Sequence, residues 1–253
     1  MKLAGYDSKG GINRRSLKEA LFTTLAQPDL RVVDRFLESY PPKLLLNALF
    51  SALSNPQEQV HWHGVYAFGL IVPTLADENQ ESGRIIMRRL LWSLNDESGG
   101  IGWGAPEAMA EIMYHIPYLR QEYLHMLISY MREDGTEPFQ DGNYLELPLL
   151  QRGLLWGIGR ICQGHRIEMV ERRVVDDIAA YLTSPDHHVV GMAAWCLGLL
   201  GVPFDTTKIS GLLHNSGEIR LFFNNVLTTV TLGELVRGCV GLEKSPAAHA
   251  SVS

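Results

Sequence analysis

Leu182 to Gly201 reads LTSPDHHVVGMAAWCLGLLG, and its punctuation decides the architecture. Ser184 ends one helix and Pro185 prevents its continuation, since proline lacks an amide hydrogen and restricts the residue before it. Asp186 then has the side chain to cap a following helix, whose small and apolar residues recur at helical spacing as far as Leu197-Gly198. The stretch is therefore the hinge and second helix of a helical hairpin.

Related hairpins lie on either side. Leu44 to Leu53 reads as an apolar first helix, Asn55-Pro56 as its turn, and Gln57 to Val72 as a second helix with Val60 and Gly69 at the landmark positions. Ser82 to Leu94 and Ile101 to Ile112 form the next pair, Leu119 to Met131 and Leu147 to Gln163 the one after, and Val170 to Leu182 leads into the opening stretch. Landmarks Gly69, Ala110, Gly159 and Gly198 lie 41, 49 and 39 residues apart, around the period of about 40 to 47 typical of HEAT and armadillo units. The longest interval contains a polar insertion, Arg132 to Tyr144. Ser210 to Leu213 with Ile219 to Thr229 reads as a last, divergent copy with its landmark at Thr228. No alternating apolar and polar run bounded by hairpin turns competes with helix.

In Val189 to Gly198, valine is followed by nine residues that include Ala193, Ala194, Leu197 and Gly198. This pattern resembles the second helix of the HEAT-like repeats of phycobilisome-lyase type, which carry valine, arginine, two free positions, two alanines, one free position, then alanine, leucine and glycine. Val190 stands at the arginine position. The resemblance and the period together imply an all-α protein, an α-α superhelix or HEAT-like solenoid of about five to six repeats. It would occupy 14–241, between an N-terminal arm, 1–13, and a disordered C-terminal tail, 242–253. Stacked hairpins would leave an extended concave surface lined by second helices.

Charge and cysteine usage narrow the partners. Twenty-two Lys and Arg against 28 Asp and Glu give a net charge of -6, so no global basic field favours nucleic acid or anionic lipid. Cys162, Cys196 and Cys239 each sit in an apolar helical run without a CxxC, which suits reduced, packed thiols and a cytoplasmic location. No signal-peptide core and no stretch of ~20 apolar residues is present, so neither secretion nor a membrane span is expected.

Aligning the second helices places their third and seventh positions, four residues apart, on one face. These are Trp62 with Tyr66, Trp103 with Glu107, Arg152 with Trp156, Gly191 with Trp195, and Leu221 with Asn225. Four of the five tryptophans fall in these two columns, and the fifth, Trp92, lies on a first helix. Such aromatics either pack between repeats or line a groove, where Trp and Tyr combine large contact area with a polar handle. The groove reading makes Trp62, His63, Tyr66, Trp103, Glu107, Arg152, Trp156 and Trp195 the partner-binding residues. Asp96 to Glu107, DESGGIGWGAPE, is either a tight turn or a glycine-rich loop whose amides receive an anion at a helix N-terminus.

The histidines do not make a metal site on this pattern. Deoxyhypusine hydroxylases, which the repeat also resembles, hold di-iron with His-Glu pairs at the third and fourth repeat positions. Here those positions hold Trp62-His63, Trp103-Gly104, Arg152-Gly153, Gly191-Met192 and Leu221-Phe222. No nucleophile with a placed base is evident either. The expectation is a non-catalytic scaffold that binds a protein or peptide segment in an aromatic-lined concave groove, without cofactor or metal; no oligomeric state is assigned. The alternative rests on resemblance to HEAT-like DNA alkylation repair glycosylases, which implies a nucleic-acid role for Trp103, Glu107, Arg152 and Trp195.

Overall fold

The computed structural model describes residues 13–95, 102–133 and 144–242. The arm up to residue 12, most of the insertion, the start of the glycine-rich loop and the tail after Leu242 lie outside these residues. The described chain is all-α in class, assembled from paired helices, and contacts divide it into two compact units, one ending at His115 and the other beginning at Ile116. No helix among the described residues is long and apolar enough to cross a membrane.

The first unit contains α1 (Arg14–Leu25), α2 (Leu30–Glu38), α3 (Pro42–Leu53), α4 (Glu58–Glu78), α5 (Gln80–Leu94) and α6 (Ala105–His115). Side chains of Asn13, Asp29 and Asn79 accept amide hydrogens at the starts of α1, α2 and α5, satisfying donors that a helix N-terminus leaves open. Pro42 begins α3, where the missing amide costs nothing. The long helix α4 is central and packs on both α3 and α6. Gly64 allows its closest approach to α3, because a Cβ there would stand 3.0 Å from that of Ala52. Leu21, Leu49, Phe68, Met87 and Met109 fill the interior.

The second unit contains α7 (Pro117–Ser129), α8 (Pro148–Glu171), α9 (Val175–Ala180), a 3-10 turn at Tyr181–Thr183 and α10 (His187–Leu200). Asp186 caps α10 through His188 N and Val189 N, as its sequence position predicts, and Gly201 closes the helix with φ 56°. The helix α8 breaks its regular geometry at His165. A second 3-10 turn follows at Ser210–Leu212, then β1 (Glu218–Phe223), β2 (Val226–Thr231) and α11 (Leu232–Cys239).

The last repeat departs from the expectation of helix over Ile219 to Thr229. These residues form an antiparallel hairpin in which Glu218 faces Thr231 and Phe223 faces Val226. Ile219 and Leu221 point inward while Glu218 and Arg220 face solvent, the period-2 signature of a half-buried strand. Asn224 and Asn225 both adopt positive φ, 47° and 63°, which matches a two-residue primed turn. Asparagine tolerates this region better than most residues. The strand signal is therefore present in EIRLFFNNVLTTVT, where paired asparagines replace the more familiar Asn-Gly. A capping box between Thr231 and Glu234 then starts α11.

Candidate functional site

The eight sequence-selected residues separate into two groups with different surroundings. Trp62, His63, Tyr66, Trp103 and Glu107 belong to the first unit, and Arg152, Trp156 and Trp195 to the second.

In the second unit the hairpin covers the helix face that the column alignment assigns to a groove. Trp156 is buried and its indole Nε1 donates to the Phe222 carbonyl at 2.7 Å. Trp195 is 1% exposed, lies edge-on to Phe223 at 6.3 Å between ring centres, and has no acceptor for Nε1 among the described residues. A Cβ on Gly191 would meet Ile219 Cγ1 at 3.0 Å, so the strand sits directly on α10. Arg152 is committed to Asp186, with Nε 3.1 Å from Oδ1 and Nη2 bonded to Oδ2. It braces the residue that caps α10. Burial would raise the Asp186 carboxyl, but the Arg152 guanidinium and the amides of Val189 and His188 hold it below the usual range. These three residues thus act within the fold, and neither indole offers a ring face to a ligand.

In the first unit His63 is interior, with Gln59 Nε2 beside its ring, and burial lowers its proton affinity despite opposition from the Leu25 backbone and Asp34. Tyr66 is half-buried and donates to Asp34 Oδ1 at 2.9 Å, tying α4 to α2; burial and that carboxylate both raise the phenol. These two are tertiary ties. Trp62 is half-buried and edge-on to His61 at 4.8 Å, whereas Trp103 is 43% exposed.

Glu107 has the least ordinary environment. It lies in the first turn of α6, where the positive end of the helix dipole favours a carboxylate, yet it is only 7% exposed. Its Oε1 stands 3.7 Å from His61 Nε2, and Oε2 has no hydrogen-bond partner among the described residues. The Leu53 carbonyl is 2.7 Å from His61 Nδ1 and can only accept, so Nδ1 carries a hydrogen and Nε2 faces the acid. Burial pushes the Glu107 carboxyl up, opposed by His61 and by the residue's own backbone amide. Gly104, immediately after Trp103, has φ 76°, and a Cβ there would lie 2.8 Å from the Leu53 carbonyl and 3.0 Å from His61 Cε1. Only glycine allows this approach. The close packing brings the backbone beside Trp103 against His61, next to Trp62. Because Glu107 itself occupies the first turn of α6, it opposes an anion at that helix end; the 96–101 part of the loop lies outside the described residues.

The sequence columns omitted His61, which contacts Glu107, and its spacing from Glu107 carries no signal of that contact. They also passed over Trp92 on α5, which is 78% exposed. Among the described residues no group of three or more His, Cys, Asp or Glu side chains is placed to hold a metal ion. Cys162 and Cys196 are buried, and Cys196 donates its thiol hydrogen to the Leu155 carbonyl at 3.0 Å.

No family model matches this chain, and no curated protein does. Solved structures similar to it include a computationally designed armadillo repeat protein for modular peptide recognition, with 14% identity over 93% of this chain and 94% of that one, at a TM-score of 0.48. A second designed armadillo repeat protein shares 13% identity over 89% and 98%, at 0.46. An engineered protein shares 15% over 82% and 79%, also at 0.46. No property of these proteins transfers to this chain at such likeness.

Proposed function

We propose that this protein is a non-catalytic helical-repeat module that receives a segment of another protein beside Trp62 and Trp103, with Glu107 selecting a cationic side chain. The observation that carries the reading is an exposed tryptophan two residues before a helix whose first turn holds a buried carboxylate with one unpartnered oxygen. An indole face attracts ammonium or guanidinium groups, and a desolvated carboxylate with one unpartnered oxygen and only a histidine 3.7 Å from the other rewards them further. Within the helical-repeat class, the HEAT-like subtype of phycobilisome-lyase pattern is supported by the placement of Val189 to Gly198 on α10. The nucleic-acid reading has no comparable support, since Trp195 is interior, Arg152 is committed to Asp186, and the chain carries a net charge of -6.

The test is binding of a short fluorescein-labelled lysine-leucine peptide to the whole protein. Trp103→Ala should weaken binding by ~2 kcal/mol, the scale of an interface hot spot. Glu107→Gln should reduce discrimination against a glutamate-leucine isomer. Affinity should rise as pH increases through the elevated Glu107 value, because the ionised carboxylate is the form that attracts a cation. Unchanged affinity in both variants, with helicity intact, rejects this face as the binding surface.

A further inference from the structure

The helix α5 carries a second surface that the Trp103 face does not explain. Ile85, Arg88, Arg89 and Trp92 recur at helical spacing and form one outward stripe. Trp92 is 78% exposed and Ile85 56%, while Ile86, Met87, Leu90 and Leu91 supply the buried side of the same helix. A shallow concavity of ≈ 560 Å³ lies along the stripe, lined also by Leu91 and Asn95. Large apolar side chains this exposed and adjacent on one helix mark a contact surface more often than isolated ones do.

Arg89 indicates the partner's charge. Its guanidinium lies 3.7 Å from the centre of the Phe50 ring, and Nη1 donates to Asn47 Oδ1 at 3.0 Å. These contacts hold the group in place, and among the described residues no acceptor meets Nε or Nη2. Those two nitrogens form the side-on edge that binds a carboxylate through parallel hydrogen bonds. Arginine predominates along this part of the helix. Arg84, Arg88 and Arg89 fall within six residues, and Glu81 contacts both Arg84 and Arg88. This is a locally basic stripe on a chain whose net charge is -6.

We propose that the stripe of Ile85, Arg88, Arg89 and Trp92 docks an acidic amphipathic segment of another protein, which seats an apolar side chain beside Trp92 and a carboxylate on Arg89. Apolar anchors at turn spacing give such a segment its affinity, and its acids set register and reject basic competitors. The surface is independent of Trp103 and Glu107.

A fluorescein-labelled, end-capped glutamate-leucine peptide of amphipathic pattern, titrated into the whole protein by fluorescence anisotropy, tests this. Its controls are a scrambled isomer and an isomer with lysine for glutamate. Saturable binding is expected, about tenfold or more weaker with Trp92→Ala and separately with Arg89→Gln, weaker again in high salt, and unaffected by Trp103→Ala. Trp92→Ala removes a side chain that is mostly in solvent, so its circular dichroism should match that of the parent protein. Absence of saturable binding, equal binding of the lysine isomer, or indifference to Trp92→Ala overturns the proposal. Sedimentation showing Trp92-dependent self-association without peptide also overturns it, in favour of a second copy as the occupant.

Discussion

Gly159→Ala is expected to destabilise the second unit, although alanine is a far better helix former than glycine. A Cβ at position 159 would stand 2.2 Å from Trp195 Cζ3, 2.5 Å from Cε3 and 2.9 Å from Cη2. Carbon atoms in favourable contact lie about 3.5 to 4.0 Å apart, so the indole must retreat by more than an ångström. It has little space in which to do so, because Trp195 is 1% exposed and meets Phe223 on the hairpin. Overpacking costs ~1 to 3 kcal/mol, and an approach of 2.2 Å belongs at the upper end of that range; the helix propensity of alanine returns ~1 kcal/mol, leaving a net loss of up to ~2 kcal/mol. Gly198 provides the control at the equivalent repeat position. Its Cβ would meet Cys239 Cα at 3.4 Å and Cys239 N at 3.5 Å, ordinary contact distances, so Gly198→Ala should be neutral or gain up to ~1 kcal/mol. Urea titration followed by far-UV circular dichroism measures both. Combining Gly159→Ala with Trp195→Phe should lose less than the sum of the single losses, since phenylalanine withdraws the ring atoms that clash. Gly159→Ala as stable as the parent, or additive losses in the double variant, would refute the packing argument.

Glu107→Gln should flatten the pH dependence of first-unit stability. The raised carboxyl contributes stability that is fully present below the unfolded glutamate value and is lost as pH rises through the folded one, so the parent should weaken over that window and the variant should not. Thermal melts at several pH values decide it, and identical profiles count against a buried titrating acid. Asp186 has the opposite sign: its lowered carboxyl contributes stability above the unfolded aspartate value that is lost as pH falls through the folded one. Asp186→Ala should cost ~1 to 2 kcal/mol in a denaturant titration, by removing both the α10 cap and the Arg152 partner. Asn225→Val should cost about 1 to 2 kcal/mol, because a β-branched residue must then adopt φ near 63°, whereas Asn225→Gly should be neutral or stabilising. Cys162, pushed up to about 12 by burial, and Cys196, raised well above its ordinary value, should resist a thiol reagent until urea unfolds the chain. Rapid labelling of both under native conditions would contradict their placement.

The helical repeats were legible in the chain because their signals are local. Proline before Asp186, proline at the starts of α3, α7 and α8, and apolar spacing along α4 and α10 act within a few residues. Asp186 therefore caps the helix that its sequence position predicts. The hairpin was also written locally, in the alternation from Glu218 to Phe223 and in Asn224-Asn225, but the repeat period extended helical register over it. Tertiary structure alone decided which tryptophans reach solvent. Trp103 and Trp195 fall in the two columns assigned to one face, yet Trp103 is 43% exposed and Trp195 only 1%, because β1 lies across α10. The same applies to Gly159 and Gly198, identical landmarks whose neighbours are an indole ring and the backbone of α11. The pairing of His61 with Glu107 across 46 positions likewise follows from how α6 packs on α4. Helical periodicity specifies which face a residue occupies, whereas exposure depends on what the rest of the chain lays against that face.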